Sequence, residues 1–104
     1  MSKIRAFTSV SEAVKNIFGE DRCVDHKSYV AGGDINEACV ITLDDGTTLF
    51  MKANSVSSLD NFKAEAAGLE EIRNTGAIRV PDVLSTGTDN GFSFLLLSYI
   101  RGGR

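Results

Sequence analysis

Apolar positions along the chain change their spacing several times, and each change marks an element. Val10, Ala13, Val14 and Ile17 recur at intervals of three and four, behind the capping box Ser9-Val10-Ser11-Glu12 and ahead of Gly19. That spacing keeps one face of a helix apolar, so it predicts a short amphipathic helix ending near Phe18. Residues 23–31 carry Val24, Tyr29 and Val30 and then meet Gly32-Gly33, which predicts a strand running into a glycine turn. Two further strand-like runs, residues 37–43 and 47–53, flank Asp44-Asp45-Gly46 and form the best-marked hairpin. Ser57-Ser58 then offers an N-cap. Leu59, Phe62, Ala66, Leu69 and Ile72 follow at helical spacing, predicting a long amphipathic helix that stops at Gly76. Arg79-Val80-Pro81 reopens an extended segment, Val83-Leu84 predicts a short strand, and Asp89-Asn90-Gly91 predicts a turn. Residues 92–100 read as an apolar strand.

This order is helix, three strands, helix, two strands, with connections too short for parallel crossovers except around the long helix. It predicts an α+β fold: a five-stranded antiparallel sheet with one long packed helix and a short N-terminal helix. A chain of 104 residues supports one hydrophobic core, so residues 1–104 are expected to form a single domain. Eleven Lys and Arg against 14 Asp and Glu leave a net charge of −3 without a basic cluster. Nothing in that balance gathers phosphate backbones or anionic lipid, so neither nucleic acid nor a membrane surface is an expected partner. The run Phe94-Leu95-Leu96-Leu97 is far shorter than the roughly 20 residues that span a bilayer. Lys3 and Arg5 are followed by polar Thr8 and Ser9 instead of an apolar signal core, so a cytoplasmic location is expected. Cys23 and Cys39 show neither metal-ligand nor redox-pair spacing and read as small apolar residues, reduced in the cytosol.

Three features break the pattern. Advancing about 100° per residue from Leu59 puts the apolar stripe of the long helix between about 220° and 360°, with Glu65 inside it at about 240°. Lys52 interrupts Leu49-Phe50-Met51-Lys52-Ala53, a strand otherwise apolar on both faces. A buried ammonium needs a partner or a cleft, and Glu65 is the obvious partner; alternatively, Lys52 lies on a solvated strand end and Glu65 reaches water at the helix edge. The third feature, Ala31-Gly32-Gly33-Asp34-Ile35-Asn36-Glu37, is longer and richer in glycine than a hairpin requires. Paired glycines let backbone N–H groups approach an anion, although a loop without a ligand accounts for this stretch too. Together, a glycine loop between strands, a lysine on the next strand and a glutamate on the following helix have the order of a protein-kinase-like N-terminal lobe.

Several segments resemble the N-terminal part of the fructosamine kinase (ketosamine 3-kinase) family: Gly32-Gly33-Asp34-Ile35-Asn36-Glu37-Ala38, Phe50-Met51-Lys52-Ala53-Asn54, Phe62-Lys63-Ala64-Glu65-Ala66-Ala67-Gly68-Leu69, Ile78-Arg79-Val80-Pro81 and Phe94-Leu95-Leu96-Leu97-Ser98-Tyr99-Ile100. The resemblance implies a protein-kinase-like fold related to aminoglycoside phosphotransferases. It also implies ATP-dependent phosphorylation of the sugar 3-hydroxyl of ketosamines formed by glycation, a deglycation repair. Under it, Gly32, Gly33, Asp34, Ile35 and Asn36 are the phosphate-covering loop, Lys52 the phosphate-binding lysine and Glu65 its ion-pair partner. Leu97 to Ile100 are the hinge, with Ser98, Tyr99 and Ile100 presenting backbone groups to adenine.

The sequence departs from the family at position 98, which is Ser where Glu usually precedes the Tyr, and at position 34, which is Asp where a small residue or Cys is common. In this fold the catalytic Asp and the magnesium-holding Asn and Asp belong to a second lobe, and no H-G-D or comparable motif occurs here. His26 has no matching role. The chain is therefore expected to be an ATP-binding lobe without catalytic or metal-ligating residues of its own, inactive alone. Its magnesium ligands and its acceptor-sugar pocket are expected in the missing lobe. The rival expectation is a non-enzymatic module that self-associates or docks on another protein through an exposed apolar strand at residues 92–100.

Overall fold

The computed structural model describes residues 6–7, 9–30, 37–76 and 80–99. Its elements are β1 (Ala6–Phe7), α1 (Val10–Phe18), β2 (Val24–Val30), β3 (Glu37–Leu43), β4 (Thr48–Ser55), a 3-10 turn at Val56–Ser58, α2 (Leu59–Thr75), β5 (Val83–Asp89) and β6 (Phe92–Ser98). The strands form one sheet in the order β1-β5-β6-β4-β3-β2. The five long strands pair antiparallel, as the sequence predicts, and the two-residue β1 adds a parallel pair to β5.

Local chemistry explains most of the boundaries. Ser9 Oγ accepts the Glu12 N–H at 2.9 Å, which satisfies one of the unpaired donors at the start of α1. Gly76 closes α2 at φ +72°, a left-handed conformation that glycine adopts without a Cβ penalty. Asn90, at φ 47°, and Gly91, at φ 95°, make the two-residue connection between β5 and β6, where positive φ at both positions matches the twist of the paired strands.

The helices cover opposite faces of the sheet. Val10, Ala13 and Val14 of α1 pack with Cys39, Ile41, Leu43, Leu49, Met51, Phe94 and Leu96. Phe62 and Ala66 of α2 pack with Leu95 and Leu97, flanked by Phe50, Leu69 and Val83. Because strand side chains alternate faces, β6 feeds both cores: Phe94 and Leu96 on one side, Leu95 and Leu97 on the other.

That placement corrects the expectation of an exposed strand at residues 92–100. β6 lies between β4 and β5, so both of its edges are hydrogen-bonded, and Ser93 to Leu97 are 0–5% exposed. A second copy cannot pair with an edge that is already taken; residue 100 lies outside the described residues. β5 also runs further than Val83-Leu84. Ser85, Thr86 and Gly87 carry no strand signal, but they are buried, and Thr86 and Gly87 pair with both β1 and β6. Ile72, expected in the buried stripe of α2, is exposed, because coverage of a helix depends on how far the sheet beneath it reaches. Cys39 is buried as an apolar residue would be, whereas Cys23 is exposed; both are free thiols. Among the described residues no helix is long and apolar enough to cross a membrane.

Candidate functional site

Lys52 and Glu65 meet. Lys52 lies on β4 and Glu65 near the middle of α2, and Lys52 Nζ donates to Glu65 Oε2 at 2.7 Å. Their side chains are 23% and 36% exposed, so the pair is half-buried, with a charge-assisted hydrogen bond at short range. The physical reason is register. Lys52 pairs with Leu95 of β6 and points to the face opposite its neighbours Met51 and Ala53, the face on which Phe62 and Ala66 of α2 pack against Leu95 and Leu97. One of the three ammonium hydrogens goes to Glu65, which leaves donors that can reach an anion from the open side.

The ends of β2 and β3 stand level with this pair. Val30 pairs with Ala38, and Ala38 pairs with Lys52, so the strand ends that bracket residues 31–36 lie in the same transverse row of the sheet as the lysine. Gly32, Gly33, Asp34, Ile35 and Asn36 themselves lie outside the described residues, as does Ile100.

Further along the same face, Phe50 precedes Lys52 by two residues and so shares its side of β4. The Phe50 ring stacks on Tyr99, with centroids 6.3 Å apart and planes within 10°. Phe50, Pro81, Leu97, Ser98 and Tyr99 line a cavity of about 240 Å³. Ser98 closes the end of β6: its N–H donates to the Asp82 carbonyl at 2.9 Å, and its Oγ accepts the Asp82 N–H at 2.8 Å. The hydroxyl is therefore engaged within the chain and anchors the segment that continues into Tyr99. A larger cavity, about 430 Å³ and lined by Cys39, Met51, Ala53 and Phe92, opens on the α1 face, away from Lys52.

Lys52, Glu65, Ser98 and Tyr99 are marked in the sequence; Phe50 and Asp82 are not. Phe50 was available from the two-residue period of a strand once Lys52 had been singled out. Asp82 had no sequence signal, because its contact with Ser98 spans 16 residues and uses its backbone. No three His, Cys, Asp or Glu among the described residues cluster as a metal site would require.

Comparison with known proteins gives the fold and the family. The chain resembles a crystal structure described as a fructosamine-3-kinase from Haemophilus somnus 129PT, with a TM-score of 0.85 and 34% identity, over 92% of this chain and 32% of that one. The fold is thus the one that makes up about a third of a sugar-amine kinase. A family model for fructosamine kinase matches residues 6–104, and the chain belongs to that family. It is 31% identical over 97 residues to a probable ketoamine kinase of Synechocystis and 36% identical over 89 residues to one of Pasteurella multocida. It covers 92% and 85% of itself in these matches but only 32% and 30% of the relatives, and so spans about a third of their length.

Proposed function

We propose that this chain is the N-terminal, nucleotide-binding lobe of a ketosamine kinase, and that ATP lies on the sheet face that carries Lys52. The observation that carries the reading is the 2.7 Å contact between Lys52 and Glu65, formed between the strand and the helix that the family pattern requires. Phosphoryl transfer depends on positioned positive charge against phosphate oxygens, and a lysine held by a carboxylate is oriented before the nucleotide arrives. In this reading Glu65 orients Lys52, Lys52 binds the phosphates, and residues 32–36 cover them with backbone N–H groups. Ser98, Tyr99 and Ile100 present the adenine-facing segment, with the Phe50 ring beside it. Magnesium, when bound with ATP, neutralises phosphate charge; its ligands, the catalytic base and the acceptor-sugar pocket belong to the remaining two thirds of such a kinase. The acceptor class, a ketosamine, follows from the family.

The test is nucleotide binding by calorimetry. The chain is expected to bind ATP, and Glu65→Ala to weaken that binding about tenfold, because Lys52 loses its orienting partner. Unchanged affinity in Glu65→Ala would sink the assignment. The rival docking module loses its motivating surface, since residues 93–97 are buried in the centre of the sheet.

A further inference from the structure

The two ends of the proposed nucleotide site are tied to one helix. At the phosphate end, Glu65 of α2 holds Lys52. At the other end, Arg73, in the last turn of α2, pairs with the Asp82 carboxylate. The backbone of Asp82 brackets Ser98 with two hydrogen bonds, and Ser98 leads directly to Tyr99, whose ring stacks on Phe50. Phe50 returns to Lys52 along the same face of β4. These contacts, with the backbone joining Lys52 to Phe50 and Ser98 to Tyr99, form a circuit through Glu65, Lys52, Phe50, Tyr99, Ser98, Asp82 and Arg73, with both ends on α2. Glu65 and Arg73 are eight residues apart, about 12 Å along the helix axis.

We propose that Asp82 and Ser98 are positioning residues of the nucleotide site: with Arg73 they hold the adenine-facing segment at Ser98 and Tyr99 to the helix whose Glu65 holds Lys52. This rests on the nucleotide reading and adds to it the means by which α2 sets both ends of the site. The two links differ in strength. Asp82 and Arg73 are about half exposed, so their ion pair contributes little and weakens in salt. The bracket between Asp82 and Ser98 extends the β5–β6 ladder by one hydroxyl bond that alanine cannot make.

Two probes separate positioning from general stability: ATP, which needs both ends of the site, and inorganic tripolyphosphate, which needs only the phosphate end. Ser98→Ala is expected to weaken ATP binding about fivefold while leaving tripolyphosphate binding unchanged, and Ser98→Thr, which keeps the hydroxyl, restores ATP binding. Arg73→Met is expected to weaken ATP about twofold at low salt, with the difference vanishing at high salt. Equal ATP affinity in Ser98→Ala and the unaltered chain overturns this proposal alone. A parallel loss of both probes overturns it too, since it marks a structural role. An unaltered chain that binds neither probe overturns the nucleotide reading and this proposal with it.

Discussion

Asp45 shows how an exposed carboxylate acquires a role from backbone geometry. It accepts the Thr47 N–H at 3.0 Å in the turn between β3 and β4 and meets Arg22 at 3.1 Å. Those contacts, the backbone N–H of Thr47 foremost, hold its carboxyl below the ordinary carboxylate range. A carboxyl depressed in the folded state adds stability above its unfolded pKa, and that stability is lost as pH falls through the folded value. Thermal melts from about pH 6 to pH 2 should therefore show a steeper acid loss of stability in the native chain than in Asp45→Asn, beginning near the ordinary value of about 4. A thiol contrasts with it: burial, above all, pushes Cys39 up, so it stays protonated, while Cys23 is exposed. Alkylation followed by mass spectrometry should label exposed Cys23 rapidly and buried Cys39 only on unfolding. Lys52 and Glu65 are legible individually as charges in apolar patterns, but the pattern alone favours the solvated reading over the pair. Their 2.7 Å contact depends on a strand register and a helix docking that no local pattern encodes.

Elements were legible where short-range chemistry decides them. The capping serine, the Asn90-Gly91 connection and the glycine ending α2 each place a boundary through one or two residues. Replacing Gly76 with Ala should cost about 1 kcal/mol in denaturant unfolding, since the left-handed conformation penalises a Cβ there even though the space around it is open. Where the signal failed, pairing had taken over. Ser85, Thr86 and Gly87 lie in the β5 segment beside β6, with Thr86 and Gly87 also paired to β1, a position that local propensity does not report. The apolar run of β6 suited either an exposed strand or a central one, and two-sided burial is the usual meaning of a continuous apolar strand. Phe94 is fully buried within the α1-side core, so Phe94→Ala should lower stability by about 3–5 kcal/mol. That loss is a large fraction of the roughly 5–15 kcal/mol that stabilises a typical domain. A loss under about 1 kcal/mol would mean that β6 is not the centre of the sheet.

At the scale of the whole molecule, two helices pack against opposite faces of one sheet, and β6 joins both cores through its alternating side chains. The chain covers about a third of the kinases it matches, and in the proposed reading the reacting groups lie in the rest. The purified chain should therefore show no ATP-dependent phosphorylation of a fructosamine in a coupled assay; measurable turnover would overturn that reading. Amino-acid order alone determined the succession of the two helices and the five long strands, their antiparallel class and the family, since periodicity, caps, turns and motif spacing are local in the chain; the two-residue β1 had no such signal. Tertiary structure alone decided that β6 is central, that α1 and α2 take opposite faces, that Lys52 meets Glu65, and that Asp82 holds Ser98. These are contacts between residues from 13 positions apart upward, from Lys52–Glu65 to longer strand pairings. Such contacts are selected by the free energy of packing the whole chain, in which a strand's place in the sheet follows from which apolar faces can be buried together.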